Sequence, residues 1–284
     1  MVLLDGKKLS VKVKNELSKK AENLKSQGIE PCLAVILVGD DEASKTYVNS
    51  KAKACEACGI KSLVYKLEAS TSQNELLALI NTLNYDDSVD GILVQLPLPS
   101  HINKNLILEN ISALKDVDGF HPNNVGYLNL GFENGFLPCT PFGIMRLLNE
   151  YNINLEGLDT VVIGASNIVG KPMSALLLNA GASVSICHIK TKDLKMYTKN
   201  ADLIVVAAGC PDLLKADMVK DGVIVVDVGI NRVDGKIVGD VDFENVSKKA
   251  SFITPVPGGV GPMTIAILLE NTIKSAQNRL KVKK

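Results

Sequence analysis

The chain has 284 residues, with Lys+Arg and Asp+Glu balanced at 31 each and a formal charge of zero. That length suits one large or two medium α/β domains with a substantial core. The balanced charge, with no basic run interleaved with aromatics, argues against a nucleic-acid partner. Apolar runs such as 33–38 and 203–208 fall well short of the ~18–20 residues that a membrane helix needs. The first ten residues, MVLLDGKKLS, show no long apolar segment and no small-residue cleavage site. No signal peptide is therefore expected. Six scattered cysteines fit reduced thiols in a cytoplasm better than a disulfide framework. Cys55 and Cys58 have CxxC spacing, but without a second such pair they read as helix thiols and not as a metal or redox site.

In chain order, residues 7–27 read as an amphipathic helix ending near Gly28. CLAVILVG (32–39) reads as a buried strand, followed by a helix closing at Gly59. A strand over 62–67 and a helix over 73–83 come next, then the strand DGILVQL running into a turn at 97–99. Alternation of strand and helix with short connections predicts a mostly parallel sheet with helices on its faces. Residues 116–141, rich in Gly, Pro and Asn, read as an interdomain linker. A second α/β unit follows: helix 141–150, strand 160–163, helix 171–180, and strands 183–187, 203–207 and 223–228. A last helix spans 263–279, and the terminal KVKK reads as its frayed end.

The segment TVVIGASNIVGKP is a buried strand, a glycine-bearing turn and a helix start. Backbone N–H groups at a helix N-terminus attract phosphate, and glycine lets the ligand approach closely. The pattern departs from GxGxxG, because Ser166 stands between Gly164 and Gly170. It is not a phosphate loop of the Walker type either, since five residues separate the glycines and Pro172 follows Lys171. The next strand ends in Cys187-His188-Ile189-Lys190-Thr191-Lys192. An acid there would bind a ribose 2′-hydroxyl; its absence, with two lysines near, favours a 2′-phosphate and so NADP over NAD.

Tyr47 and Lys51 are four apart and share one helical face. Short-chain dehydrogenases also use YxxxK, but there the pair follows the cofactor loop, whereas here it precedes the loop by more than a hundred residues. Gln95 ends a parallel strand, where polar residues face the usual ligand crevice. Asp116 and Asp118 place two carboxylates in the expected cleft. His101, His121 and His188 are isolated and lack metal-ligand spacing, so no metal is expected.

YVNSKAKAC, DGILVQLPLPSHIN, KDVDGFHPNNVG, PCTPFGI, GASNIVGKPM and PVPGGVGPMT occur in this order at suitable distances. Together they resemble the methylenetetrahydrofolate dehydrogenase/cyclohydrolase family over nearly the whole chain. The resemblance implies oxidation of 5,10-methylenetetrahydrofolate with NADP, then hydrolysis of the methenyl product to 10-formyltetrahydrofolate, a step of one-carbon metabolism. It implies Lys51 as the proton-transfer residue, Tyr47 stacking on the folate ring system, Gln95 contacting Lys51, and Asp118 binding the pterin edge. Leu96, Pro97, Pro257, Gly258 and Gly259 would line the folate site. Gly164, Ala165, Ser166, Ile189 and Ile230 match cofactor-contacting positions. Many relatives have Arg at the place of Ala165 and Ser or Arg at that of Ile189, so a preference for NADP over NAD rests on Lys190 and Lys192. Monofunctional dehydrogenases of the family lack the lysine that Lys51 supplies. A lysine serves as a base near neutral pH only if burial or a nearby cation lowers its pKa.

The implied architecture is α/β with two domains. Residues 1–138 would form a folate-binding catalytic domain on which the C-terminal helix 263–284 packs back. Residues 139–262 would form a Rossmann-like NADP-binding domain. A homodimer with no nucleic-acid or membrane partner is expected. Two other readings stay open: another two-domain NADP-dependent dehydrogenase, for example of the shikimate type, and a folate- or nucleotide-binding protein without turnover.

Overall fold

The computed structural model describes Met1–Val282, so the end of the terminal KVKK lies outside the described residues. The chain divides into two compact units. The first holds Met1–Val11, Leu128–Gly131 and Thr140–Thr264; the second holds Lys12–Tyr127, Phe132–Cys139 and the chain from Ile265 onward. The chain opens with the short strand β1 (Val2–Leu3) and the long helix α1 (Gly6–Ser26). Leu9, Val13, Leu17, Ala21 and Leu24 are buried along α1, a stripe of three- and four-residue steps. Gly28, at φ +79°, ends the helix in the left-handed conformation that glycine adopts without strain.

The second unit continues with β2 (Cys32–Val38), α2 (Glu42–Ala57), β3 (Lys61–Leu67), α3 (Gln73–Tyr85), β4 (Gly91–Val94), α4 (Lys104–Asn110) and α5 (Pro122–Asn129). Its three strands are parallel in the order β3-β2-β4. All seven residues of the central β2 are buried, as expected for a parallel strand covered on both faces. Cys32, Ala34, Ile36 and Val38 pack with Leu76, Ile80 and Leu83 of α3 and Ile107 of α4. Polar caps set the helix starts: the Asp41 carboxylate accepts from Ser44 N at 2.7 Å on α2, and Ser72 and Glu75 form a reciprocal capping box on α3. The segment 116–141 is not the irregular linker that its composition suggests. It contains α5, which starts on Pro122, a residue suited to a first helical turn. The sequence reading also misses α4.

Next come α6 (Cys139–Glu150), β5 (Asp159–Ile163), α7 (Gly170–Asn179), β6 (Ser183–Cys187), α8 (Leu194–Thr198), β7 (Leu203–Val206), β8 (Ile224–Asp227), β9 (Asn231–Val233), β10 (Lys236–Val238), α9 (Phe243–Val246), β11 (Phe252–Ile253) and α10 (Val260–Val282). Strands of the first unit form a six-stranded sheet in the order β1-β11-β8-β7-β5-β6, parallel throughout. The chain leaves β5 to pair β6 on one side and returns to pair β7 on the other. That reversal is the switch point at which open α/β sheets bind ligands beyond the strand carboxyl ends. Val161, Ile163, Ile204, Val206, Val225 and Ile253 form the core beneath it. The hairpin β9–β10 is antiparallel. From Ile265, α10 belongs to the second unit, where Arg279 pairs with Asp90 at 2.9 Å and Asn271 Nδ2 donates to the Val117 carbonyl at 2.8 Å.

Candidate functional site

In the second unit, Ser44, Val48, Lys51 and Cys55 are the buried residues of α2. Their spacing is that of one helical face, so the packing that seats α2 also buries the stem of Lys51. Lys51 is 9% exposed. Its Nζ donates to Gln95 Oε1 at 3.0 Å. Gln95 is itself held at both ends. Its backbone N–H donates to the Ile36 carbonyl at 2.8 Å, and its side-chain Nε2 donates to the Leu96 carbonyl at 2.7 Å. The amide oxygen is thereby aimed at the lysine. Tyr47, one turn before Lys51, is 37% exposed. Leu96 is partly exposed and Pro97 exposed beside Gln95. Lys45 lies off this face and pairs with Asp40 and Glu42.

The two carboxylates of KDVDG do different things. Asp118 keeps part of its surface open while protein packs closely around it. Burial pushes its carboxyl above the ordinary range, opposed by the Lys51 charge and by a hydrogen bond from Cys139. Asp116 does not face a cleft as the sequence suggests. It is 1% exposed, and its Oδ2 accepts from His121 N and Asn124 Nδ2, each at 2.8 Å. Burial pushes its carboxyl up to about 6. The difference lies in their partners: Asp116, which bridges to Ile92 of β4, is taken up by His121 N and Asn124 Nδ2, whereas Asp118 lies beside Lys51 and Cys139. Gly91 makes room for this loop, because a Cβ there would stand 2.8 Å from both methyls of Val117.

Two residues that sequence reasoning passed over complete this half of the site. Cys139 Sγ lies 3.3 Å from the Val117 carbonyl oxygen and beside the Asp118 carboxyl, and burial raises its thiol far above the ordinary range. Asn271 donates to the carbonyls of Val117 and Leu137. The available signal was an asparagine four residues before Ser275 and four after Ile267, on the face of the helix that carries the apolar residues. Cys55 is fully buried, with its thiol pushed up to about 12 by burial, which accords with an inert helix thiol. Among the described residues no group of His, Cys, Asp and Glu is arranged to hold a metal ion.

In the first unit, the loop after β5 has the shape of a phosphate cradle. Gly164 has φ +118°, and a Cβ there would stand 2.2 Å from the Ala207 carbonyl oxygen. A Cβ on Gly170 would stand 1.9 Å from the Gly164 carbonyl oxygen. One glycine thus permits the turn and the other the close seating of α7 on β5. Ser166, exposed between them, accepts from Val169 N at 3.1 Å, a local side-chain turn just ahead of α7. Ala165 is partly exposed. After β6, Thr191 Oγ1 accepts from His188 N at 2.9 Å and Thr191 N donates to the His188 carbonyl at 2.7 Å. This tight turn leaves Ile189 fully exposed, with Lys190 and Lys192 exposed beside it. Ile230, after β8, is 49% exposed.

Pro257, Gly258 and Gly259 also lie in the first unit. Gly258 has φ +113°, and its carbonyl accepts from Lys7 N at 2.8 Å. A Cβ at Gly6 would stand 1.8 Å from the Gly259 carbonyl oxygen, so the start of α1 packs against this turn.

The structure also shows a buried acidic pair that the sequence reading did not single out. Asp227 ends β8 at 3% exposure, and Asp240 is wholly buried. Burial pushes the Asp227 carboxyl up to about 6. The signal was an acid closing an apolar strand, with glycines next to acids in DVG and GDVD.

A doubly wound unit with a glycine cradle, together with a second α/β unit presenting a buried lysine, is the make-up of a nucleotide-dependent enzyme. Comparison with known proteins makes the class specific. Residues 4–118 match the catalytic domain of tetrahydrofolate dehydrogenase/cyclohydrolase, and residues 138–280 match its NAD(P)-binding domain. The chain belongs to the tetrahydrofolate dehydrogenase/cyclohydrolase family. It is 75% identical over 281 residues to the bifunctional protein FolD of Campylobacter jejuni strain RM1221, covering 99% of this chain and 100% of that protein. A crystal structure of the bifunctional FolD enzyme from Campylobacter jejuni superimposes with a TM-score of 0.97 at 75% identity, covering 98% of this chain and 99% of that one. The dehydrogenase-cyclohydrolase of Trypanosoma brucei, solved with NADP cofactor and an inhibitor, gives a TM-score of 0.95 at 36% identity, covering 100% and 99%.

Proposed function

We propose that the enzyme oxidises 5,10-methylenetetrahydrofolate to the methenyl form with NADP and hydrolyses that product to 10-formyltetrahydrofolate. The observation that carries the second activity is the Lys51 Nζ held at 3.0 Å from Gln95 Oε1, beside the carboxyl of Asp118. Residues 1–138 with the C-terminal helix carry the folate, and residues 139–262 carry the cofactor. The glycine cradle of Gly164 and Gly170, with Ala165, Ser166, Ile189 and Ile230 around it, would hold NADP, which when bound supplies the hydride acceptor.

For the oxidation, the protein's task is to orient the methylene carbon, and Asp118 does so by accepting hydrogen bonds from the amino and ring N–H of the pterin. Tyr47, 37% exposed one turn before Lys51, stacks on the folate ring system. For the hydrolysis, water adds to the methenyl carbon and its oxygen gives up both protons; one ends on the ring nitrogen as its bond to that carbon breaks, and the other is released to solvent as the charge of the methenyl cation is discharged. Lys51 is the group that takes and returns the proton, and Gln95 keeps it oriented.

A cytoplasmic homodimer without nucleic-acid or membrane partners fits this reading. The cysteines are free, as in a reducing compartment. No described helix is long and apolar enough to cross a membrane. Adding 5,10-methylenetetrahydrofolate and NADP to the purified protein should raise the NADPH absorbance band, and methenyltetrahydrofolate added alone should disappear faster than in buffer. Cofactor reduction without accelerated methenyl loss would remove the cyclohydrolase from the proposal. No reduction with either nicotinamide cofactor would remove the dehydrogenase.

A further inference from the structure

Ligands of open α/β sheets lie beyond the strand carboxyl ends at the switch point. Here that point is β5, and the loops after β7 and β8 form its flank. The loop after β7 touches the glycine cradle directly, because the Ala207 carbonyl oxygen fills the space a Cβ on Gly164 would need. Where this loop sits therefore sets the shape of the cradle. Asp240 holds it there. Its Oδ2 accepts from Ala208 N at 2.7 Å and Gly209 N at 2.8 Å. Its Oδ1 accepts from Asn231 Nδ2 at 2.8 Å, next to the exposed Ile230. One carboxylate thus ties together the loops that follow two neighbouring strands.

Asp240 is itself held by Asp227. Asp227 Oδ1 accepts from Asp240 N and Gly229 N, both at 2.9 Å, and Oδ2 accepts from Val241 N at 3.0 Å. The chain is shaped around the pair. A Cβ at Gly229 would stand 2.4 Å from Asp240 Oδ1, and one at Gly239 would stand 1.8 Å from Asp227 Oδ2. Burying two adjacent carboxylates is costly unless each is fully hydrogen-bonded. Filling a core does not require such a pair, whereas fixing several backbone N–H groups in one geometry does.

We propose that Asp240, backed by Asp227, is a positioning residue for the cofactor-dependent half of the reaction, setting the loops after β7 and β8 against the glycine cradle. The inference rests on reading residues 139–262 as the NADP domain. It predicts a separation of the two activities, since hydrolysis of ready-made methenyltetrahydrofolate uses no nicotinamide.

The test compares wild type with Asp240→Asn and Asn231→Ala. Asp240→Asn keeps the volume but places one amide nitrogen among donors; Asn231→Ala removes a single partner of the same carboxylate. In Asp240→Asn the KM for NADP and its Kd by calorimetric titration should each rise about tenfold. Its kcat at saturating NADP should fall less than threefold, and its KM for methylenetetrahydrofolate and its cyclohydrolase rate should stay within twofold. Asn231→Ala should move the NADP constants in the same direction by about threefold.

Unchanged NADP binding in folded Asp240→Asn overturns the proposal, as does a parallel loss of cyclohydrolase in a variant with a native circular dichroism spectrum. If Asp240→Asn does not fold, Asn231→Ala decides, and unchanged NADP constants there overturn it. If the wild type bound NADP but turned over no folate, the proposed function would fail while the binding comparison still judged Asp240.

Discussion

The Lys51 ammonium donates to the amide oxygen of Gln95 at 3.0 Å, while its charge favours the ionised form of the Asp118 carboxyl beside it. The amide is a neutral acceptor that orients the ammonium without placing a second anion against it. A proton carrier for methenyl hydrolysis has to be held in one place while it accepts and releases a proton. Replacing Lys51 by Met should lower methenyl hydrolysis at least a hundredfold, within the range that a positioned acid-base group supplies, while the variant still folds and binds folate. Near-normal hydrolysis by Lys51→Met would falsify the role.

Gln95→Glu adds a second anion, this one within hydrogen-bond reach of Lys51. The basic form of the lysine should then appear only at higher pH, so the cyclohydrolase pH profile should shift to the alkaline side and the rate at neutral pH should fall. A profile unmoved in Gln95→Glu would show that the amide does not govern the lysine.

Asp118 is surrounded by protein yet partly open to a ligand, and Cys139 and the Lys51 charge favour its ionised form. Asp118→Ala should weaken folate binding about ten- to a hundredfold, the worth of a charged hydrogen bond of ~1.5–3 kcal/mol. NADP binding should change little. Titration of both ligands checks this, and equal losses for the two would point to a general disturbance of the fold.

The long elements were legible from sequence because each repeats one period for several turns or residues. The all-apolar β2 and the four-residue stripe of α1 are of that kind. Short elements escaped because their stability comes from partners far along the chain. β1 exists only by pairing with β11, and α8, with five residues, is started by the Asp193 cap. Composition misled at α5, where Asn and Gly suggested a linker but Pro122 opens a helix. At the candidate site, motif order pointed to Lys51 and Gln95, which meet at 3.0 Å. The partners that distinguish Asp116 from Asp118, Asn124 for the one and Lys51 and Cys139 for the other, come from different helices. The hold of Asp240 on two loops depended on sheet order, and neither is written locally in the sequence.

Asp116 gives a stability prediction. Burial raises its carboxyl to about 6 in the folded chain, above the ~3.9 of an unfolded aspartate. Between those values the folded state holds more protons, so this group's contribution to stability is full below about 3.9 and is lost as pH rises through about 6. Asn cannot titrate, and its amide oxygen can still accept from His121 N or Asn124 Nδ2. Asp116→Asn should therefore fare better relative to wild type at pH 7 than at pH 4, by on the order of 2 kcal/mol. Denaturant unfolding of both proteins at the two pH values measures it. A difference independent of pH would mean that Asp116 ionises as easily in the folded chain as in the unfolded one.

The last prediction concerns the 2′-phosphate of NADP. The turn after β6 is fixed by His188 and Thr191, and it carries Lys190 and Lys192 on its exposed side with no acid among residues 187–192. Ala165 and the exposed Ile189 offer no charge, so the lysines must supply what attraction there is. Exposed ammonium groups on flexible stems are point charges, worth ~1 kcal/mol or less per contact and screened by salt. Replacing both by Ala should raise the KM for NADP about five- to tenfold at low ionic strength, less at high salt, and leave the KM for NAD nearly unchanged. The dehydrogenase assay with each cofactor at two salt concentrations separates this from a general loss of binding. Equal increases for NADP and NAD would mean that the lysines act on the part the two cofactors share. An unchanged KM for NADP would mean that the 2′-phosphate is read by backbone groups of the turn.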